Sequence, residues 1–430
     1  MLLSQSGDAV LHRRDTAGLE APTAAPAILD KTALIALTVH DNLDQVADDW
    51  RGFEKEADCT AFQTFAWHAA WQRHVGGPAG VRPAVVVGRD GPRILFLIPF
   101  AVEQGRFVRR LVWHASDLCD YNAPLLAKDF SSRIDRTAFV ALFTEMLQQI
   151  ASRPGLAFDA VSLTKMLEAV GGQPNPFMAI GTTLNPSGAY VTRLFGTWDT
   201  FYVEKRSSAT RRRDRTKRKR LADLGEIRFV TPDKPAEIAA TLATLMEQKA
   251  SSFAKMGVPD LFARPGYRDF FREIATDPAT HEFVHVSRLD VGTTPAAVNL
   301  GLVFGGVYYH VLASYDAGEV ARFGPGTIHL HELMAYAIGR GCTAFDFTIG
   351  DERYKREWSD VTLQLHDHRC AVTLKGRAAT LPSELLARVK RVIKQTPFLW
   401  SMASKARAVV GNLRRRGADH QTPGDAADES

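Results

Sequence analysis

Apolar positions along the chain follow two periods. Phe139, Leu142, Phe143, Met146, Leu147 and Ile150 recur at steps of three and four, which predicts a helix over 135–151. Trp67, Trp71 and Val75 stand four apart and mark one helix face within 61–75. Ile238, Leu242, Leu245, Met246, Lys249 and Phe253 mark another face, and 267–275 predicts a further helix. Segment 43–57 is mixed and helical in pattern. Alternating or β-branched runs predict strands at 33–39, 83–87, 94–102, 107–114, 158–163, 227–230, 281–289 and 297–304. Asp90-Gly91 and Gly305-Gly306 supply hairpin turns. Segment 199–224 has no breaker before Gly225, so it predicts one long helix, polar nearly all round in its middle and anchored by Leu221 and Leu224.

The richest pattern lies at 306–358. An aromatic, β-branched strand over 307–314 leads into a turn with glycines and a proline. Leu330, Leu333, Met334, Ala337 and Ile338 then repeat at helical spacing, closed by Gly339, Arg340 and Gly341. Phe345, Phe347 and Ile349 alternate with Asp346 and Thr348 in a second strand. A final strand at 364–374 closes this half. In a strand, glycine turn, helix, strand unit, the turn aims backbone N–H groups and the positive helix end at an anion. Reactive groups would then sit just past the second strand, in 350–358.

Composition narrows the class. With 430 residues, 45% hydrophobic and 23% charged, the chain fits a soluble protein of two or three domains. Four cysteines without a Cys-x-x-Cys pair argue against a disulfide framework or a cysteine zinc site. No apolar run reaches the roughly 18–20 residues that span a bilayer. Residues 1–14 lack a secretory pattern, so the expected location is cytoplasmic. The expected domains are a disordered arm at 1–30, a mixed α/β domain at 31–195, a second domain at 196–375, and a basic helical segment with a disordered tail at 376–430.

The order helix, strand, helices, three antiparallel strands, glycine turn, helix, strand over the second half resembles the GNAT acyltransferase fold. Gly350-Asp351-Glu352-x-Tyr354-Lys355 followed by Trp358, after Phe345-Asp346-Phe347, resembles a bacterial GNAT-like branch associated with exopolysaccharide and cellulose synthesis. That branch is related to the Fem-type peptidyltransferases. The resemblance covers 200–375, with 35–195 similar to a degenerate first copy. It implies an α/β (α+β) fold: a GNAT-like mixed sheet flanked by helices, in two tandem domains. It also implies acetyl-CoA or another acyl-CoA as co-substrate, and a small-molecule or glycan acceptor. The turn Arg322-Phe323-Gly324-Pro325-Gly326 resembles the GNAT pyrophosphate turn in outline, with the basic residue and glycines spaced differently.

Each candidate has a plainer alternative. Gly324, Gly326 and Thr327, with Arg322 as an added cation, would cradle a diphosphate or simply form a strand-to-helix loop. Lys355 and Tyr354 would stabilise a tetrahedral oxyanion, a role a matching lysine serves in Fem-type relatives; the alternative is a surface lysine at a helix start. Asp351 and Glu352 are base candidates, with helix capping favoured for Asp351. Asp346 would hold substrate or pair with Lys355. Tyr315 and Asp316 would bind acceptor or shape the turn. The cationic run 205–220 reads as a solvated face, a binding site for transfer RNA, or a contact for anionic lipid; no DNA is expected. His329 and His331 point to different helix faces and cannot share a metal, and His366 and His368 have no evident third ligand, so no metal is expected. No Ser-His-Asp or Cys-His constellation stands out, which favours direct attack over a covalent enzyme intermediate. Three readings remain open: an acyl-CoA-dependent acyltransferase, an aminoacyl-tRNA-dependent transferase, and a non-catalytic scaffold in polysaccharide synthesis.

Overall fold

The computed structural model describes residues 35–379. The arm expected at 1–30 and nearly all of the segment expected at 376–430 lie outside the described residues.

Two mixed sheets are built on one plan. The first runs Ile35–His40, Arg82–Asp90, Arg93–Gln104, Arg109–Trp113, Ala160–Leu167, Leu365–Ala371. The second runs Ile227–Val230, Val284–Val291, Thr294–Phe304, Val307–Tyr315, Ala344–Ile349, Ala189–Arg193. In each, four antiparallel strands meet a fifth in parallel, and a sixth returns antiparallel. The fold is therefore mixed α/β, with the GNAT-like order present twice.

The sixth strands are exchanged. Ala189–Arg193 leaves the first half to pair with Ala344–Ile349. Leu365–Ala371 returns from the second half to pair with Ala160–Leu167. This corrects the expectation that 364–374 closes the second-half sheet. The physical reason is that periodicity specifies a strand and its buried face, but not which sheet edge receives it. The edge of Ala344–Ile349 is already taken by Ala189–Arg193.

Helices cover the sheets as their apolar stripes dictate. Arg136–Ser152 buries Phe139, Leu142, Phe143, Met146 and Ile150 against the first sheet. On the second sheet, Val298, Leu300 and Leu302 pack with Leu242, Leu245 and Met246 of Pro235–Met256. Their neighbour Ala297 packs the other way, with Ile328 of Pro325–Gly339. Alternation along the strand thus places the two helices on opposite faces. Trp67 and Phe270 meet edge to face, with ring centroids 4.9 Å apart, and join the two halves into one core.

The long helix expected at 199–224 is two helices, Trp198–Lys205 and Ser208–Ala222. Arg206 is extended (φ −127°), and the Ser207 hydroxyl accepts the Thr210 N–H at 3.2 Å. A serine N-cap offers the backbone a fresh helix start without glycine or proline. Leu221 is buried as expected, whereas Leu224 is exposed. The Gly305-Gly306 turn forms as predicted, with φ of 57° and 75°, the left-handed pair that a two-residue hairpin demands. Among the described residues, no helix is long and apolar enough to cross a membrane.

The exchange makes a measurable claim. Leu365 is fully buried in the returning strand, so Leu365→Ala should cost about 2–5 kcal/mol. Both halves should lose stability together, as one urea transition followed by far-ultraviolet circular dichroism. Two separate transitions, with the second half unaffected, would contradict the shared core.

Candidate active site

The parallel strands Val307–Tyr315 and Ala344–Ile349 pair over only three residues, ending with Tyr309 opposite Asp346. Past that point the ladder stops. Thr348 keeps one side-chain link, its hydroxyl donating to the His310 carbonyl at 3.3 Å. Thr348 also has φ 58°, an unfavourable conformation for a β-branched residue. Ala115 and Lys165 are the other non-glycine residues with positive φ among those described. The Lys165 ammonium donates to the carbonyls of Ser116 and Cys119, and Asp120 lies beside the Thr348 side chain. The three strained residues therefore belong to one region, as strain at functional sites often does.

Asp346 is buried, and its Oδ1 accepts the Tyr121 hydroxyl and the Thr348 N–H, both at 2.7 Å. Burial outweighs those bonds and pushes its carboxyl up to about 7. The Asp346–Lys355 pair expected from the sequence does not form as a contact: the carboxylate is occupied by Tyr121 and Thr348. Lys355 reaches it only through space.

Lys355 is buried, with 5% of its surface exposed, so it is not a surface lysine. Its Nζ donates to the Ile349 carbonyl at 2.8 Å and lies 3.2 Å from Glu352. Gly350 makes room for that bridge, because a Cβ there would stand 2.8 Å from Lys355 Nζ. Glu352, not Asp351, holds the N-cap position of helix Arg353–Trp358, and no side chain caps it. Glu352 is drawn to the ammonium instead, while Asp351 hydrogen-bonds Tyr190. Burial, with Glu352 close by, pushes the Tyr354 phenol above its ordinary range.

The glycine turn has a distinct layout. Gly324 (φ 67°) is the N-cap of helix Pro325–Gly339, and no side chain caps it. The helix at the same place in the first sheet is closed off, since Asp135 caps Arg136–Ser152 through the Ala138 N–H at 2.8 Å. A carboxylate there repels an anion, so only the second copy keeps an open positive end. Arg322 is exposed, pairs with Glu319 at 2.9 Å and lies over the Phe323 ring. The ammonium beside the turn belongs to Lys217, 3.8 Å from where a Gly324 Cβ would be. Thr327 stands near Gly324, and the Tyr315 ring lies 3.7 Å from where a Gly326 Cβ would be. Asp316 shapes the turn, accepting the Gly318 N–H at 3.0 Å.

Sequence reasoning did not bring Asp120, Tyr121, Lys165 or Lys249 to this site, and it had Lys217 only as part of the cationic run 205–220. Burial raises the Asp120 carboxyl, with Lys165 and Lys355 opposing. Burial lowers the Lys249 ammonium, with Glu352 and Asp120 opposing. Asp120, Tyr121 and Lys165 come from the first half and reach the site only by tertiary packing. Lys249 did leave a signal, as a lysine on an otherwise apolar helix face. His329 and His331 separate as expected. His329 meets Ser287 at 3.1 Å, whereas His331 packs against Trp198 and Tyr202.

Residues 208–356 match the family model described as an acetyltransferase (GNAT) domain. Among solved structures, FemX aligns with a TM-score of 0.54 at 11% identity, covering 77% of this chain and 96% of that one. A conserved protein of unknown function from Bacteroides thetaiotaomicron gives 0.49 at 11% identity, covering 78% and 100%. L-PGS from Bacillus licheniformis gives 0.48 at 15%, covering 80% and 96%. No curated protein matches. At this identity the FemX likeness speaks for the fold alone.

The raised Asp346 carboxyl predicts a pH dependence. The neutral form is the one the fold favours, so its stabilising contribution is complete below the ordinary carboxylate range. It is lost as pH rises through about 7. Asp346→Asn cannot ionise. Its stability relative to wild type should rise between pH 5 and pH 8 by on the order of 1–3 kcal/mol, measured by urea unfolding at each pH. A flat difference would mean that Asp346 is ionised throughout.

Proposed function

We propose that this chain is an acyltransferase that moves an acyl group from an acyl-coenzyme A to an amine or hydroxyl. The observation that carries this reading is Lys355: a buried ammonium held by Ile349 and Glu352, just past the place where two parallel strands stop pairing. The GNAT-domain match over 208–356 supports the class. The donor's phosphates would lie against the uncapped N-terminus of Pro325–Gly339, with Gly324, Gly326 and Thr327 as the cradle and Lys217 as its cation.

In this mechanism the acceptor's nitrogen or oxygen attacks the thioester carbonyl. A new bond to carbon forms and the carbonyl electrons move to oxygen, where the Lys355 ammonium offsets the developing charge. As the carbonyl re-forms, the carbon–sulfur bond breaks and the thiolate leaves. Asp120 or Glu352 takes the acceptor's proton. Tyr354, a protonated phenol at neutral pH, hands its proton to the thiolate and regains one from the acid just formed, which returns Asp120 or Glu352 to its carboxylate. A cytoplasmic enzyme acting on a sugar or glycan precursor is the finer reading, on the sequence resemblance alone.

One observation favours an aminoacyl-tRNA donor as a second reading. Helix Ser208–Ala222 carries Arg211, Arg212, Arg213, Arg215, Lys217, Arg218, Lys219 and Arg220 against the single acid Asp214. Among the described residues, only Arg218 of these has an acidic partner, Glu332 at 2.6 Å. That cationic helix stands beside the glycine turn through Lys217, as a polyphosphate donor would require.

Lys355→Ala should lower turnover about 10²–10³-fold while coenzyme A affinity stays within about threefold. Thiol release and isothermal titration read the two quantities. Unchanged turnover removes Lys355 from the mechanism. If coenzyme A and acyl-CoAs fail to raise the melting temperature while transfer RNA does so, the second reading stands. If neither does, the scaffold reading gains.

A further inference from the structure

Lys249 is placed where an apolar residue belongs. Leu242, Leu245 and Met246 are buried on the inner face of Pro235–Met256, and position 249 continues that face by another turn. The side chain is half-buried, and its ammonium lies 5.6 Å from the Phe253 ring. The adjacent Gln248 is tied into the sheet, accepting from the Ser314 hydroxyl and donating to the Pro295 carbonyl, each at 2.8 Å. Lys249 is therefore carried on a fixed turn of helix beside the end of Val307–Tyr315.

Apart from the Phe253 ring, it has no partner among the described residues. Among the described residues, Lys249 takes part in no hydrogen bond and no ion pair. The acids it senses are Glu352 and Asp120, and both are engaged elsewhere. Glu352 lies 3.2 Å from Lys355. Asp120 lies beside the Thr348 side chain and is drawn most strongly to Lys165. The local charge is unbalanced: Lys165, Lys249 and Lys355 face Asp120 and Glu352, while Asp346 is pushed toward its neutral form. A partly buried ammonium with unused donors and a nearby like charge is costly to maintain. A lysine that merely lays its stem on apolar surface sends its head to water. This one stays half-buried, close enough to Glu352, Lys355 and Asp120 to feel their charges.

We infer that Lys249 is a binding residue for an oxyanion, a carboxylate or phosphate group carried by the acceptor close to the atom that is acylated. Calling that ligand the acceptor rests on the acyltransferase reading; the oxyanion site itself does not. The placement also sets direction. Lys249 approaches from the sheet face opposite helix Pro325–Gly339, whose open end is assigned to the donor. Donor and acceptor would thus approach the Lys355 region from opposite faces of the second sheet. The acceptor class narrows accordingly to acidic sugars, amino acids or phosphorylated precursors rather than neutral ones.

Titration of the purified full chain with inorganic phosphate and with succinate, at constant ionic strength, tests this. The wild type should bind at least one of the two saturably, and the stronger of them identifies phosphate or carboxylate as the preferred group. Lys249→Met should weaken that binding by about tenfold or more, and Lys249→Arg should retain it within about threefold. Lys249→Met extends the apolar face, so its melting temperature should be equal or higher; if it fails to fold, Lys249→Gln carries the same readout. Saturable binding to neither anion, or equal binding by wild type and the uncharged variant, overturns the proposal. Coenzyme A binding is measured in parallel. Anion binding without coenzyme A binding would sink the acyltransferase reading and leave the oxyanion site standing; the reverse result would do the opposite.

Discussion

Two neighbouring parallel strands cannot both stay paired and make room for a substrate. Here Val307–Tyr315 and Ala344–Ile349 give up their ladder after Tyr309 and Asp346. Buried backbone groups that lose strand partners need others. One is supplied by the Thr348 hydroxyl, which donates to the His310 carbonyl. Another is supplied by the Asp346 carboxyl, which accepts the Thr348 N–H. The strained φ of Thr348 follows from this local arrangement. Tyr121, from the other half, donates to the same carboxyl. The fork is thus built from both halves, and the groups around it depend on their staying together.

The exchange of sixth strands supplies that constraint. Each sheet takes as its sixth strand a segment that the chain reaches directly from the other sheet. A hinge between the halves would have to break strand ladders as well as the contacts around Trp67 and Phe270. Asp120 and Lys355 can therefore be held in a common electrostatic environment although they are far apart in sequence. Fixed geometry of this kind suits acyl transfer, where positioning and a ready cation contribute much of the rate.

The two copies diverge where chemistry would be expected. In the first, Asp135 closes the helix end with its own carboxylate, and past the parallel pair the loop carrying Tyr121 lies along Ala160–Leu167, the Asn122 N–H donating to the Lys165 carbonyl at 3.0 Å. In the second, Gly324 leaves the equivalent end uncapped. The same plan thus serves as support in one place and as a candidate donor site in the other. At the helix end, the difference is one side chain at an N-cap and its effect on the local field.

Much of this was determined by sequence alone. The glycine turn, the helix behind it and the strand ending at Ile349 follow from local period and turn chemistry, which need no partner. Lys355 and Glu352 were legible through Gly350-Asp351-Glu352-x-Tyr354-Lys355. The helix break at Ser207 was also written there, as an N-cap serine that a search for glycine and proline overlooks. The destination of 365–371 was not, because alternation says which face of a strand is buried and nothing about whose edge it joins. Nor could the meeting of Asp120, Lys165 and Lys249 with Lys355 be read from spacing, since those residues come from separate elements whose approach is decided by core packing. Tertiary structure alone decided which lysines were buried and left without partners. Burial and charge pairing are properties of the assembled sheets, not of any one segment.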